Sequence, residues 1–380
     1  MDIMDFIDLK KQQELIRNNI DYRISKVLNH GQYILGPEVK ELEYELSLFS
    51  KSKYVLCCSS GTDALLLGLI SLGLRPNEGV IVPSFTFAST AETVCMLGGI
   101  PFFSDVKIDT FNICEKSILN CIKKAKQLGI TLKGIITVGL FGQPSDIDNI
   151  KEVANNNKLW ILDDAAQSFG SVYKNKISGN LCDISATSFF PAKPLGCYGD
   201  GGALFTNNED YYKTAYSAHL HGMGSNKYEY ERIGMNGRID TIQAAILIEK
   251  LKIFKSELIK RDEIALYYKK QFLDLNTNIE LPEVILGATS SWAQFTIKLP
   301  PNCDRENFQI KMKEKDIPTA IYYPIPIHFQ KPYRKFPISS DNLKNTNLLS
   351  QYVISLPMHP YLSFESVEYI SKVAHNIINN

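Results

Sequence analysis

Lys193 is the residue of this chain best placed for covalent chemistry. It lies in Ser188-Phe-Phe-Pro-Ala-Lys193-Pro-Leu-Gly-Cys-Tyr-Gly-Asp-Gly-Gly202, an amine among apolar and aromatic side chains, with Gly196, Gly199, Gly201 and Gly202 behind it. Taking a lysine out of water disfavours its charged form, lowers its pKa and frees a neutral nucleophile. Glycines allow backbone to come close to a bulky group. Together these features suggest a Schiff-base lysine beside a cofactor.

Three other segments can complete such a site. The apolar run Leu159 to Leu162 predicts a buried strand with Asp163 and Asp164 at its C-terminal end, where open parallel sheets bind ligands. A carboxylate there can hold a protonated pyridine nitrogen, as pyridoxal phosphate (PLP) requires. Paired aspartates also cap turns, and Asp164 can do both. Tyr54-Val-Leu-Cys-Cys-Ser-Ser60-Gly61-Thr62 predicts a strand, a tight turn and a helix start whose free amides favour an anion. It is neither a Walker loop nor a GxGxxG loop. Gly234-Met-Asn236-Gly-Arg238-Ile-Asp-Thr-Ile-Gln243 predicts a polar turn leading into a long helix.

These four ordered segments resemble the DegT/StrS-type sugar-nucleotide aminotransferases, a branch of the aspartate-aminotransferase-like (fold type I) PLP enzymes. The resemblance runs from Phe6-Ile-Asp-Leu-Lys to Ser355-Leu-Pro-Met-His-Pro360. It implies that Lys193 bonds the cofactor, that Asp164 meets the pyridine nitrogen and that Gln167 lies near the ring hydroxyl. Gly61, Thr62 and Ser188 match the phosphate binders. Asn236 matches a residue that reaches the phosphate of the neighbouring subunit, which implies a homodimer with shared sites. Phe87 occupies the place of the ring stacked on the cofactor; without the resemblance it reads as core. A sister branch that dehydrates its substrate carries histidine in place of the lysine. Gly139 stands where many members have histidine, so a substrate role there is in doubt.

The implied reaction has two halves: L-glutamate gives its amino group to the Lys193-bound cofactor, and a nucleotide-linked keto-sugar takes it. The post-lysine Pro-Leu-Gly-Cys-Tyr-Gly-Asp-Gly-Gly is similar to members that aminate sugar position 3, in particular UDP-linked 3-keto-N-acetylhexuronic acids for O-antigen or other surface polysaccharide. Members acting at position 4 of 4-keto-6-deoxy sugars more often read Thr-Thr-Gly-Glu-Gly-Gly there. A PLP dehydratase and a non-catalytic regulatory protein on the same fold are the other readings. His328 and His359 lie in segments resembling those near the sugar pocket, and each can contact substrate or be a satisfied structural histidine. Arg238 can read nucleotide phosphates or a sugar carboxylate, or pair with Asp240.

The elements that must position these groups are α/β. Helices are predicted over 12–28 and 37–49, and strands near 54–58, 79–82, 101–104, 133–138, 159–163, 185–189 and 202–206. Alternation with helices implies a mainly parallel seven-stranded sheet covered on both faces. The later strands lie too close together for full helical crossovers, so part of the order is expected to be hairpin-like or irregular. Residues 240–272 predict a helix bridging a large PLP-binding domain (1–250, with the N-terminal helices) and a small C-terminal α+β domain (251–380). In the latter, 295–299 alternates as a half-buried strand, Asp304 caps a helix through Lys315, and Ile317 to Tyr323 predicts another strand. The last residues, Asn379 and Asn380, are expected to fray.

Composition adds exclusions. With 41 basic and 41 acidic residues the chain has no global charge for nucleic acid or an acidic membrane. No apolar run is long enough to span a bilayer, no signal peptide is evident, and no His/Cys/carboxylate set has metal spacing. Eight cysteines without CxxC pairs point to reduced thiols and a cytoplasmic protein.

Overall fold

The computed structural model describes residues 4–226, 228–340 and 342–379. Two helices lead, α1 (Leu9–His30) and α2 (Pro37–Ser50). Asp8 caps α1 by accepting from the Lys11 amide at 2.9 Å, and Pro37 opens α2, where its missing N–H costs nothing. An alternating series follows: β1 (Tyr54–Cys58), α3 (Gly61–Ser71), β2 (Gly79–Pro83), α4 (Ser89–Met96), β3 (Ile100–Ser104), α5 (Glu115–Leu128), β4 (Leu132–Val138), α6 (Ile147–Asn156) and β5 (Trp160–Asp164). A short hairpin, β6 (Val172–Tyr173) and β7 (Lys176–Ile177), precedes β8 (Ile184–Ser188), β9 (Gly202–Thr206) and α7 (Glu209–His219). The long α8 (Thr241–Asp274) leads to β10 (Phe295–Lys298), α9 (Arg305–Lys313), α10 (Lys344–Tyr352), β11 (Val353–Leu356) and α11 (Phe364–Asn379).

The main sheet has seven strands in the order β1-β9-β8-β5-β4-β2-β3. Only β9 is antiparallel to its neighbours, so among the later strands the hairpin-like alternative is the one realised, between β8 and β9. The C-terminal ends of β1, β8, β5, β4, β2 and β3 therefore share one edge. Strand side chains alternate between two cores. Leu56, Val80, Val82, Leu162 and Leu204 pack with α3. On the other face Val55, Cys57 and Phe205 meet α2 and α8, while Ile81, Ile135 and Ile161 meet α5 and α6.

α8 links two cores. Ala244, Leu247, Ile248 and Phe254 pack behind β1 and β9, whereas Ile264, Ala265, Tyr268 and Phe272 pack against β10, β11, α9 and α11. The fold is a mainly parallel sheet flanked by helices with a smaller α+β unit, the arrangement that the resemblance to PLP fold type I implies.

Three C-terminal details differ from the sequence expectation. Ile317 to Tyr323 forms no strand; it makes a single bridge, Ala320 to Ser355, because Pro318 has no N–H and Pro324 ends the segment. The partner of β10 is instead β11, with Phe295 opposite Leu356. Strand β10 is buried on both faces rather than half-buried: the hydroxyls of Thr296 and Ser355 bond at 2.8 Å, and Lys298 pairs with Glu280. At the end of the chain α11 continues through Asn379, and Asn380 lies outside the described residues.

Candidate active site

The shared C-terminal edge of the sheet gathers the candidate groups. Ser188 ends β8, Asp164 ends β5, Gly61 opens α3 just beyond β1, and Phe87 follows β2. Lys193 lies in the turn after β8, its amide donating to the Phe190 carbonyl at 2.8 Å.

The Gly61 and Thr62 amides open α3 and have no partner within it. Ser60 caps the helix by accepting from the Asp63 amide at 3.0 Å. A Cβ on residue 61 would stand 2.6 Å from Cβ of Ser188, so glycine is what brings the helix start against the end of β8. Free amides and two hydroxyls, Thr62 and Ser188, thus edge a cradle suited to a phosphate.

Asp164 and Lys193 attract one another inside the protein. Burial raises the Asp164 pKa, opposed by the Ala166 amide, by Lys193 and by Thr90. Burial lowers that of Lys193, opposed by Asp164. Thr90 donates to Asp164 Oδ2 at 3.1 Å and the Ala166 amide to Oδ1 at 3.2 Å. Asp164 is therefore both turn acceptor and a carboxylate aimed into the site. Asp163 points through the opposite face of the sheet, where the Thr137 hydroxyl donates to it at 2.9 Å and burial pushes its pKa to about 7.

Gln167 is fixed at both ends of its amide: Oε1 accepts from the Phe141 amide at 2.8 Å, and Nε2 donates to the Tyr323 hydroxyl at 3.2 Å. The ring of Phe87, 56% exposed, has its centroid 6.3 Å from that of Tyr323. An exposed aromatic held over the sheet edge is a stacking surface rather than core. Thr90 and Tyr323 escaped the sequence reading. Their contacts span 74 and 156 residues; Tyr323 lies in the same segment as His328, but nothing in its local spacing links it to Gln167.

Arg238 and Asn236 come beside the cradle of their own chain. Arg238 bridges to Cys58, and the Gly237 carbonyl accepts from the Ser59 amide at 3.0 Å. Arg238 Nε donates to Asn236 Oδ1 at 2.9 Å, not to Asp240. Asn236 is exposed. His328 is buried, with Nδ1 2.6 Å from the Ser84 hydroxyl just after β2. His359 lies buried elsewhere, next to Met358, whose amide donates to the Phe6 carbonyl at 3.3 Å. Burial and the Arg261 charge push its pKa to about 4, against the pull of Asp8 and Asp5. The contacts of His359 connect it to the N-terminal segment and α8, whereas those of His328 connect it to the sheet edge. At Gly139 a Cβ would stand 2.1 Å from the Ser168 hydroxyl oxygen, so a larger residue there requires Ser168 to move.

This donor set fits PLP. The glycine cradle would take the phosphate, the buried carboxylate of Asp164 the pyridine nitrogen, Phe87 would offer a ring face, and Lys193 would supply the amine.

Similarity to known proteins agrees. The chain is 41% identical over 377 residues to the UDP-2-acetamido-2-deoxy-3-oxo-D-glucuronate aminotransferase of Pseudomonas aeruginosa, covering 98% of this chain and 100% of that one. A DegT DnrJ EryC1 StrS aminotransferase from Brucella abortus superposes with a TM-score of 0.95 at 40% identity, covering 99% and 100% of the two chains. The ntda protein of Bacillus subtilis, solved with its cofactor PMP bound, gives 0.89 at 30% identity, covering 100% and 86%. The DegT/DnrJ/EryC1/StrS aminotransferase family matches residues 14–374. The chain belongs to that family and is a PLP-dependent aminotransferase.

Proposed function

We propose that this enzyme moves an amino group from L-glutamate to C3 of UDP-2-acetamido-2-deoxy-3-oxo-glucuronate, giving a 3-amino sugar for O-antigen or other surface polysaccharide. The observation that carries this reading is the 41% identity, over essentially the full length of both chains, to a relative named for that substrate. The Pro194 to Gly202 sequence points the same way. The reading also takes the enzyme as a cytoplasmic homodimer. Eight free cysteines suit a reducing compartment, and the exposure of Asn236 and Ile233 leaves both free to meet a second copy.

Bound PLP supplies an electron sink for the carbanion at the reacting carbon. Lys193 Nζ, kept from full hydration, takes the α-proton of glutamate and in the second half delivers a proton to C3 of the sugar. Asp164 holds a negative charge where the pyridine nitrogen must stay protonated, and Thr90 and the Ala166 amide keep that carboxylate in place. Gly61, Thr62 and Ser188 anchor the phosphate and Gln167 and Phe87 orient the ring. Asn236 reaches the phosphate of the partner's site. Arg238 reads the diphosphate or the hexuronate carboxylate, with His328 on the sugar side of the sheet edge, while His359, held between the N-terminal segment and α8, serves as a structural histidine.

A panel with 15N-glutamate tests the substrate assignment. Label should enter the UDP-linked 3-keto hexuronate and not a 4-keto-6-deoxy sugar nucleotide. Transfer only to the 4-keto sugar overturns the assignment and leaves transamination intact. Release of a 3-deoxy product without label means dehydration.

A further inference from the structure

Lys250 is 1% exposed on α8 and forms no ion pair or hydrogen bond among the described residues. Its Nζ stands 4.3 Å from the centroid of the Tyr198 ring. A buried ammonium over an aromatic face is held by the ring quadrupole, most strongly where water is absent. Tyr198 is five residues beyond Lys193, in the loop that carries it.

The loop is closed on itself. The Cys197 amide and thiol donate to the Phe189 carbonyl at 2.8 and 3.0 Å, and the Lys193 amide to the Phe190 carbonyl at 2.8 Å. Gly196 passes so near the Phe190 and Pro191 carbonyls that a Cβ would stand 2.6 and 2.5 Å from them. A displacement at residues 197–198 must therefore be felt at 189–193. The loop touches α8 again through the Tyr198 amide, which donates to Gln243 Oε1 at 2.9 Å. The Tyr198 ring packs with Ile16, Ile20 and Ile246, and its hydroxyl is buried without a hydrogen-bond partner among the described residues. The ring face, rather than the hydroxyl, is what Lys250 meets.

We infer that Lys250 and Tyr198 form a clamp that holds the loop on α8 and fixes the position from which Lys193 acts. Lys250 is a positioning residue, working through Tyr198 on Lys193. Burial lowers its pKa to about 8, against the pull of Glu257 and Cys197, which leaves it mainly protonated at neutral pH. The kinetic part of the inference rests on Lys193 being the working amine; the loop-holding part does not.

The test uses Lys250→Met, Tyr198→Leu, their double variant, and the conservative Lys250→Arg and Tyr198→Phe. In the PLP-loaded enzyme the first two should slow the half-reaction with L-glutamate about tenfold, with the apparent glutamate affinity within about twofold. The double variant should be no slower than either single one, because one contact is lost in all three. Lys250→Arg and Tyr198→Phe should stay near the parent. In cofactor-free protein, peptide-mapped labelling with a thiol reagent should find Cys197 protected in the parent and labelled about tenfold faster in Lys250→Met, with buried Cys57 and Cys121 still protected. Unchanged half-reaction and labelling overturn the clamp. Additive losses in the double variant, or equal exposure of all three cysteines, also overturn it and assign Lys250 to general packing.

Discussion

Gly61 and Ser188 touch so closely that a Cβ on residue 61 would lie 2.6 Å from the Ser188 Cβ. The contact joins the start of a helix after β1 to the end of β8, two strands far apart in sequence that flank β9 in the sheet. It places free helix amides beside the strand from which the lysine loop departs.

Gly61→Ala tests this contact. The added carbon must push α3 and β8 apart, a strain of about 1–3 kcal/mol, so PLP affinity should fall about ten- to a hundredfold. Spectroscopic titration with PLP measures it, and unchanged affinity would mean that the cradle is looser than the geometry shows.

Asp164→Asn removes the negative charge while keeping the hydrogen-bonding shape. Cofactor binding through the phosphate cradle should survive, while the glutamate half-reaction should slow about a hundred- to a thousandfold. Single-turnover kinetics separates the two. Loss of binding without loss of rate would place Asp164 in the cradle instead.

Lys193→Ala should take up PMP yet fail to turn over. Combined in mixed dimers with Asn236→Ala, it should restore one working site, because both defects then fall in the same site and leave the other intact. Co-purified heterodimers that show no recovered activity would contradict the reach of Asn236 across the interface.

Two buried histidines make stability depend on pH in a predictable direction. His219 and His359 are each pushed from 6.5 to about 4, chiefly by burial, so the unfolded chain binds more protons than the native one below pH 6.5. Each costs stability as pH falls from 6.5 towards 4, about 2 kcal/mol by pH 5. Buried Asp163 and half-buried Glu43, raised to about 7, act oppositely: they lose stability as pH rises from the ordinary carboxylate range through 7. The clean readout is therefore a difference. Urea unfolding of His359→Asn should show a smaller loss between pH 7 and pH 5 than the parent; identical slopes would mean that His359 is not held neutral.

The sheet was legible because most of its strands are short, strongly apolar runs whose two faces are both buried, as in Val80 to Val82 and Ile135 to Ile136. The C-terminal unit was harder. Ile317 to Tyr323 has strand-like composition, yet Pro318 cannot donate to a ladder, and the true partner, Val353 to Leu356, is only four residues long and directly follows a helix. The site followed the same rule. Lys193, Asp164 and Gly61 announce themselves through local sequence, whereas Thr90, Tyr323 and Lys250 matter through contacts that only the folded chain creates.

The visible absorption spectrum of the purified protein with PLP, recorded before and after adding L-glutamate, tests the central claim most directly. A yellow band that forms in the parent, fails to form in Lys193→Ala, and bleaches in the parent on adding glutamate is the predicted result. A band that never forms in the parent, or that forms and ignores every amino donor, would contradict it.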